Sequence, residues 1–302
     1  MRAKLKMGSL ARKEALEFYL FILPWLIGFV VFFLYPMASS LYYAFTRYEI
    51  GGTPTWVGIQ NFKTMFADPR YLNSIWATFK FALISVPGLT VVALGLALLL
   101  AQKIKGINVF RSVYFMPSVM PMVAISLTWF YILRPETGPL AGLLKIFGIT
   151  FPPVLGDESL ALPTLILINI WLNFGGQMVI YLAGIKGIPR ELYEVAEIDG
   201  AGQWARFWNV TLPMLSSTIF LNLVLGIIGA MQVFDIPYVM TKGGPNDATR
   251  TYMLHLYNKG WVEIQMGMGS AMGWILFLII MAITLLVIRS SQVWVYYEGE
   301  RK

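Results

Sequence analysis

Six stretches of this chain run for about 20 residues or more with almost no charge. Phe18–Phe45, Ser112–Leu133, Pro163–Ile185, Met214–Phe234 and Met266–Ile288 hold no Asp, Glu, Lys or Arg, and Ile75–Ala101 holds only Lys80. About 20 apolar residues cover the ~30 Å hydrocarbon core of a bilayer as a helix. Lipid offers no partner to a bare N–H or C=O, so a spanning segment must close its own backbone hydrogen bonds. Runs of this length therefore predict an all-α polytopic membrane protein with six transmembrane helices, over 18–45, 75–101, 112–133, 163–185, 214–234 and 266–288. Pro24, Pro36, Pro117 and Pro121 lie within spans. Neighbouring groups must satisfy the carbonyls they free.

Composition agrees. Of 302 residues, 57% are hydrophobic and 13% charged; a soluble domain is nearer 45–50% and about 25%. Mean hydropathy is +0.66. An ordinary soluble enzyme and a disordered chain are both excluded. With no cysteine there is no disulfide framework, thiolate metal site or cysteine nucleophile, and His255, the sole histidine, leaves no multi-histidine metal site. No catalytic residue and no metal ligand is expected.

The net charge of +7 fits basic flanks on one side of a membrane better than nucleic-acid binding. The amino end carries Arg2, Lys4, Lys6, Arg12 and Lys13; the second connection carries Lys103, Lys105 and Arg111. The fourth carries Lys186, Arg190 and Arg206; the carboxyl end carries Arg289, Arg301 and Lys302. These make 14 basic residues on one side against eight on the other, with Lys80 inside a span. The richer side is expected to be cytoplasmic, with both termini inside. The 28-residue first span far exceeds a 7–15-residue signal core, so a retained helix is expected. Lys80, near a span end, is expected to snorkel.

Gly267, Gly269, Ala271 and Gly273 place small residues along the last span, and Gly269 with Gly273 forms a GxxxG pair suited to close helix packing. A dinucleotide loop would need a preceding strand, which is lacking. The chain has no GxxxxGK[ST], HExxH or GxSxG sequence. It should not hydrolyse nucleotide by itself. Ion-coupled transporters place several ionisable groups near the midplane, whereas here only Lys80 and Asp235 come into question. Uphill transport would draw its energy from another subunit.

The fourth connection, 186–213, carries the strongest signal. Pro189 suits the first turn of a helix, and Glu191 and Glu194 complement its dipole. Leu192, Val195 and Ala196 recur with helical spacing, and Asp199-Gly200 reads as a stop. A second short helix follows through Trp204, Phe207 and Trp208, and Pro213 marks re-entry into the membrane. The resulting helix–turn–helix is either a docking surface for a soluble partner or a hairpin on the bilayer surface anchored by its tryptophans.

Glu194-Val195-Ala196, Gly200 and Val210-Thr-Leu212-Pro213 resemble the EAA loop of ABC importer permeases, EAA-x3-G-x9-I-x-L-P. The departures, Val195 and Val210, are small apolar changes. Asp199 and Ala201 are similar to the carbohydrate-importer form, EAAxxDGA. Phe21-Ile-Leu-Pro-Trp, Trp56-Val-Gly-Ile-Gln-Asn-Phe, Leu182-Ala-Gly-Ile and Thr241-Lys-Gly-Gly-Pro resemble the maltose-transporter type, the first of its two unlike permeases. The likeness extends over nearly the whole chain. It implies one transmembrane permease domain over 1–302, in the plasma membrane of a prokaryote, importing a sugar or oligosaccharide. The implied partners are a second, non-identical permease, an ATPase homodimer that binds the ATP and Mg, and an extracytoplasmic solute-binding protein. The chain itself would hold no cofactor. Glu194, Val195, Ala196, Asp199, Gly200, Ala201, Leu212 and Pro213 would form the coupling surface, with Gly200 allowing a close turn where a side chain would clash.

Asn169, Asn173, Gln177 and Tyr181 recur every four residues along the fourth span, and Asn222, Gln232 and Asp235 mark the fifth, with Tyr238 just beyond. Amides and aromatic rings are what a sugar path needs; helix–helix hydrogen bonding explains the same residues. Thr46–Ser74 and Arg134–Leu162 should fold into small helices or loops outside and, with Thr241–Pro245, meet the binding protein. His255 is expected to be an inert surface residue. The competing functions are a self-sufficient secondary transporter or channel for a small polar solute, and a membrane-embedded enzyme, for which no residue set is present.

Overall fold

The computed structural model describes residues 9–102 and 105–296, with side chains from residue 13. Arg2, Lys4, Lys6, Lys103, Arg301 and Lys302, and the Arg12 side chain, lie outside what is described. Among the described residues, five helices are long and apolar enough to cross a membrane, or six if one sharply bent pair counts as a single span. The chain divides into two compact units, Met1–Met65 with Lys259–Trp274, and Phe66–Asn258 with Ile275–Lys302.

The first unit opens with α1 (Ser9–Phe29), a π-helical turn over Val30–Leu34 and α2 (Tyr35–Ala44). The wide turn has a cause in the sequence. Pro36 has no N–H and would crowd the carbonyl four residues back. One extra residue per turn relieves this, and the Tyr35 N–H bonds Val30 O, five residues back. In this span, Lys13–Ala44, no residue of the most apolar window is buried. A two-strand ribbon follows, β1 (Thr46–Arg47) antiparallel to β2 (Thr55–Trp56), then α3 (Gln60–Ala67). Asn61 Nδ2 donates to Ala44 O at 2.9 Å and Thr46 O at 2.8 Å, which fixes the turn out of α2. The far segment of this unit meets the ribbon region at its backbone: the Gly267 N–H bonds Tyr48 O at 3.1 Å. A Cβ on Gly267 would lie 2.1 Å from Thr46 O. The small-residue stripe thus serves close approach, and Gly260 lies against Gly269 in the same way.

The second unit is built on α4 (Pro69–Leu100). After it come α5 (Ile107–Phe115), a 3-10 turn over Met116–Val119, α6 (Met122–Ile132), α7 (Pro139–Ile146) and α8 (Glu158–Gly187). Then follow α9 (Arg190–Ile198), α10 (Gln203–Arg206), a π-helical turn over Phe207–Thr211, α11 (Leu212–Met214) and α12 (Ser216–Met231). α13 (Asp235–Met240) and α14 (Tyr252–Tyr257) follow; the π-helical turn over Asn258–Val262, from Lys259 on, and the start of α15 (Met266–Trp294) belong to the first unit, and α15 from Ile275 to the second. Leu89, Ala93, Ala97 and Leu100 form one buried stripe of α4 and meet Phe174, Met178 and Tyr181 of α8. Small residues on α4 admit large ones from α8. Asp157 caps α8; the Ser159 hydroxyl and the Ser159 and Leu160 N–H groups hold its carboxyl below the ordinary range.

The third span is not one helix. Ile107–Val119 and Met122–Ile132 meet at 96°. Met120 precedes Pro121 and is extended (φ −76°, ψ 143°), as the proline ring demands of its predecessor. Apolarity alone does not reveal that bend. The Ser118 hydroxyl at the break donates to Leu172 O at 2.8 Å and accepts from the Gly176 N–H at 3.1 Å. Those two α8 groups are four residues apart, the pair that bonds directly in a regular α-helix. The contact needs Gly175, where a Cβ would fall 2.5 Å from Tyr114 O and 2.8 Å from Ser118 Oγ.

His255 is buried, not on the surface. It lies 3.9 Å from Asp68, beside Tyr71. α14 is fastened to α4 by the Tyr252 N–H donating to Thr78 Oγ1 at 2.7 Å and by the Tyr71 and Tyr252 hydroxyls at 3.0 Å. That docking turns the histidine inward. The loop over 241–251 is tied to α4 where Asn73 Nδ2 donates to Asp247 O at 2.8 Å and Arg70 pairs with the Asp247 carboxylate at 3.4 Å.

Gly175→Val should overpack the α8 contact and cost about 1–3 kcal/mol, seen as a lower thermal midpoint in detergent. Gly176→Ala, whose Cβ meets nothing within 4 Å, should leave the midpoint nearly unchanged.

Candidate functional site

Two features of the second unit gather the polar and solvent-facing residues singled out by sequence. One is a cavity of about 440 Å³ among α4, α8, α12 and the segment leading into α13. Asn169, Asn173 and Gln177 line it from α8, one turn apart. Asn222 faces them from α12, and Gln232 and Asp235 close one end. α12 stops at Met231, so the chain beyond it turns its polar groups toward the cavity instead of continuing the helix.

The amide N–H donors turn back on their own helices, while Asn222 of α12 also stands against the Tyr181 hydroxyl of α8. Asn173 Nδ2 bonds Asn169 O at 2.8 Å and Asn169 Oδ1 at 3.1 Å, and Asn222 Nδ2 bonds Thr218 O at 3.2 Å, each within its own helix. Gln177 Oε1 is buried with no hydrogen-bond partner among the described residues. An amide both donates and accepts, without the desolvation cost of a full charge. A wall of amides with one carboxylate, Asp235, suits a polar solute rich in hydroxyls.

Two of the eight predicted path residues lie elsewhere. Tyr181 is fully buried in the α4–α8 contact, beside Thr90 and Asn222. A four-residue repeat drifts around a 3.6-residue helix, and by Tyr181 the drift has carried the side chain off the cavity face. Tyr238 stacks on Phe234 with ring centroids 5.0 Å apart and meets Tyr257 edge-on at 5.3 Å. Phe234 takes the lining place instead. Ser85 and the glycines Gly176, Gly226 and Gly229 also line the cavity. The Gly226/Gly229 spacing was a small-residue signal in an otherwise bulky span; nothing in the sequence marked Ser85.

The second feature is the helix–turn–helix between α8 and α12. Pro189 stands at the N-cap of α9, one place before the expected first turn. Asp199 is the C-cap, and Gly200 is left-handed at φ +77°. The Ala201 N–H returns to Ala196 O at 2.8 Å and the Gly200 N–H to Glu197 O at 3.0 Å, a glycine-terminated helix stop. A Cβ on Gly200 would meet nothing within 4 Å. The turn needs glycine for its backbone angle; among the described residues nothing would clash with a side chain there. Tyr193 and Thr211 hydroxyls, 2.9 Å apart, fasten α9 to the returning chain. Val195 (57%), Ile198 (85%) and Trp204 (77%) are exposed, and Glu194 is exposed among them. Leu212 is partly buried, Pro213 exposed.

A family model for the binding-protein-dependent transport system inner membrane component matches residues 92–295. The probable ABC transporter permease protein YesP of Bacillus subtilis is 38% identical over 99% of this chain and 97% of its own length. The sn-glycerol-3-phosphate transport system permease protein UgpA of Agrobacterium fabrum is 32% identical over 92% and 96%. The trehalose/maltose transport system permease protein MalF of Thermococcus litoralis is 31% identical over 93% and 96%. A chain from the crystal structure of a bacterial alginate ABC transporter, in complex with an alginate pentasaccharide-bound periplasmic protein, superposes with a TM-score of 0.83. That match covers 92% of this chain and 95% of that one at 24% identity, and shares the fold. The chain belongs to the family of binding-protein-dependent transport system inner membrane components: it is a multi-pass permease subunit of an ABC importer.

Gly229 lines the cavity with open space at its Cβ. Gly229→Trp should fill that space and abolish uptake by the assembled importer, with a thermal midpoint within about 4 °C of wild type.

Proposed function

We propose that the chain is the first of two unlike permeases in an importer of a sugar or oligosaccharide, and that the amide-lined cavity is its solute path. The observation that carries this reading is the wall of Asn169, Asn173, Gln177 and Asn222, in which Asn173 and Asn222 donate back within their own helices and Gln177 Oε1 has no partner among the described residues. Hydroxyl-rich solutes pair with amides, and Phe234 offers a ring for the apolar face of a sugar. The cargoes named for relatives, glycerol 3-phosphate, trehalose/maltose and sulfoquinovosyl glycerol, are all polyols or their derivatives.

In this reading residues 1–302 act as one permease domain in a prokaryotic plasma membrane, with both termini inside. The second permease completes the pathway, a solute-binding protein delivers cargo from outside, and two copies of an ATPase supply the energy. ATP and Mg stay on the ATPases. The exposed face of α9 enters a cleft on one ATPase, and Glu194 meets a basic group there. Asp199, Gly200 and Ala201 keep the end of the helix narrow, and Leu212 and Pro213 return the chain to the bilayer. Closure of the ATPase pair draws the loops of the two permeases together, and the cavity turns from the inner to the outer side.

Gly200→Arg should leave insertion and assembly intact but abolish uptake and binding-protein-stimulated ATP hydrolysis. Gly200→Asn, which tolerates the left-handed angle, should keep more activity; normal transport by the reconstituted arginine variant overturns the role. Asn173→Ala and Gln177→Ala should slow uptake by about tenfold, the effect of roughly 1.4 kcal/mol, with a smaller change in ATP turnover. Uptake by this chain alone on an ion gradient would replace the whole reading with a secondary transporter.

A further inference from the structure

A second cleft, of about 410 Å³, lies nearer the N-terminal ends of α4 and α8 and shares no lining residue with the amide cavity. Its composition changes along its length. At the N-terminal ends of the two helices it is polar, with Asn73 from α4, Glu158 and Ser159 from α8, and Asn246 from the 241–251 loop. Further along both helices it is apolar, with Ile84 facing Leu162, Pro163 and Ile166. Lys80 stands between the two ends.

Lys80 is exposed, and none of the ion pairs among the described residues uses it. It marks the last charge before the uncharged run Phe81–Leu100, whose 20 residues match one hydrocarbon thickness. Trp76, one turn earlier and 66% exposed, is the kind of ring that settles at the headgroup level. The lysine therefore sits where hydrocarbon gives way to headgroups. Glu158, the first residue of α8, lines the polar end; it accepts a hydrogen bond from Asn246 Nδ2 through Oε1, which leaves Oε2 for another donor.

The order along the cleft is apolar wall, cation, anion. A phospholipid with an amine headgroup reads acyl chain, phosphate, ammonium in the same direction. We propose that this cleft is a binding site for a zwitterionic aminophospholipid of the phosphatidylethanolamine type. The Lys80 ammonium holds the phosphate, as a charge-assisted contact. Glu158 accepts an N–H from the headgroup amine, and one acyl chain lies along Ile84 and Pro163, the exposed apolar residues of the cleft. The carboxylate sets the selectivity. A net anionic headgroup without an amine meets Glu158 as a like charge, and a choline headgroup has no N–H to give.

The test uses the complete importer, extracted gently and examined by native mass spectrometry after exchange into nanodiscs. The nanodiscs contain equal parts of phosphatidylethanolamine, phosphatidylcholine and phosphatidylglycerol. The wild-type complex should retain phosphatidylethanolamine about tenfold over either rival. Lys80→Gln should lose retained phosphatidylethanolamine. Glu158→Gln should erase the preference for it over phosphatidylglycerol while still holding lipid. Both side chains are polar and the replacements nearly isosteric, and a retained thermal midpoint checks folding. Equal retention of the three lipids by wild type, a preference for phosphatidylglycerol, no retained lipid, or unaltered occupancy in Lys80→Gln would each overturn the proposal.

Discussion

Helices gain no hydrophobic advantage from touching one another inside a bilayer, so α4 and α8 hold together by fit and by specific hydrogen bonds. The fit is made by absence. Ala93 and Ala97 leave room on α4 for Phe174 and Met178, and Gly88 leaves room for Ile170, whose Cδ1 would sit 2.8 Å from an added Cβ. Gly184 does the same for Thr218 and Leu215 at the far end of α8. Small-to-large packing of this kind gives two long helices one register. The amide cavity, the loop at the end of α8 and the cleft around Lys80 all take their geometry from it.

α8 carries both halves of the proposed function. Its middle supplies three amides to the cavity. At its end only Ile188 and Pro189 separate it from α9. In the proposed mechanism, a pull on α9 reaches the cavity wall along one helix of 30 residues, about 45 Å long. The Tyr193–Thr211 contact and the Ala201 to Ala196 return bond keep the loop from unwinding under that pull.

Much of this architecture was legible from hydropathy and punctuation. The long uncharged runs located the spans because lipid permits little else, and Asp199-Gly200 located the end of α9 because few residues accept a left-handed angle. What stayed hidden depended on partners distant in sequence. The 96° bend needed Pro121 and Ser118 to be seen against α8. Tyr181 belongs to the core and not the cavity because a fourfold repeat and a 3.6-residue helix slip out of phase. His255 looked like a surface residue in a polar stretch, and only the docking of α14 on α4 buries it. Gly267 fitted a helix-packing stripe, yet its immediate neighbour is the carbonyl of Thr46, in a ribbon that periodicity does not announce.

The Ser118 hydroxyl stands between Leu172 O and the Gly176 N–H, at the level of the amides. One rung of α8 is therefore shared with a side chain from the third span. When that span shifts, the rung must either follow it or close on itself, and the Gly176 amide proton is the atom that feels the choice. Its rate of exchange with deuterated solvent, or its chemical shift, becomes a local gauge of where the third span stands, with no label attached to the protein.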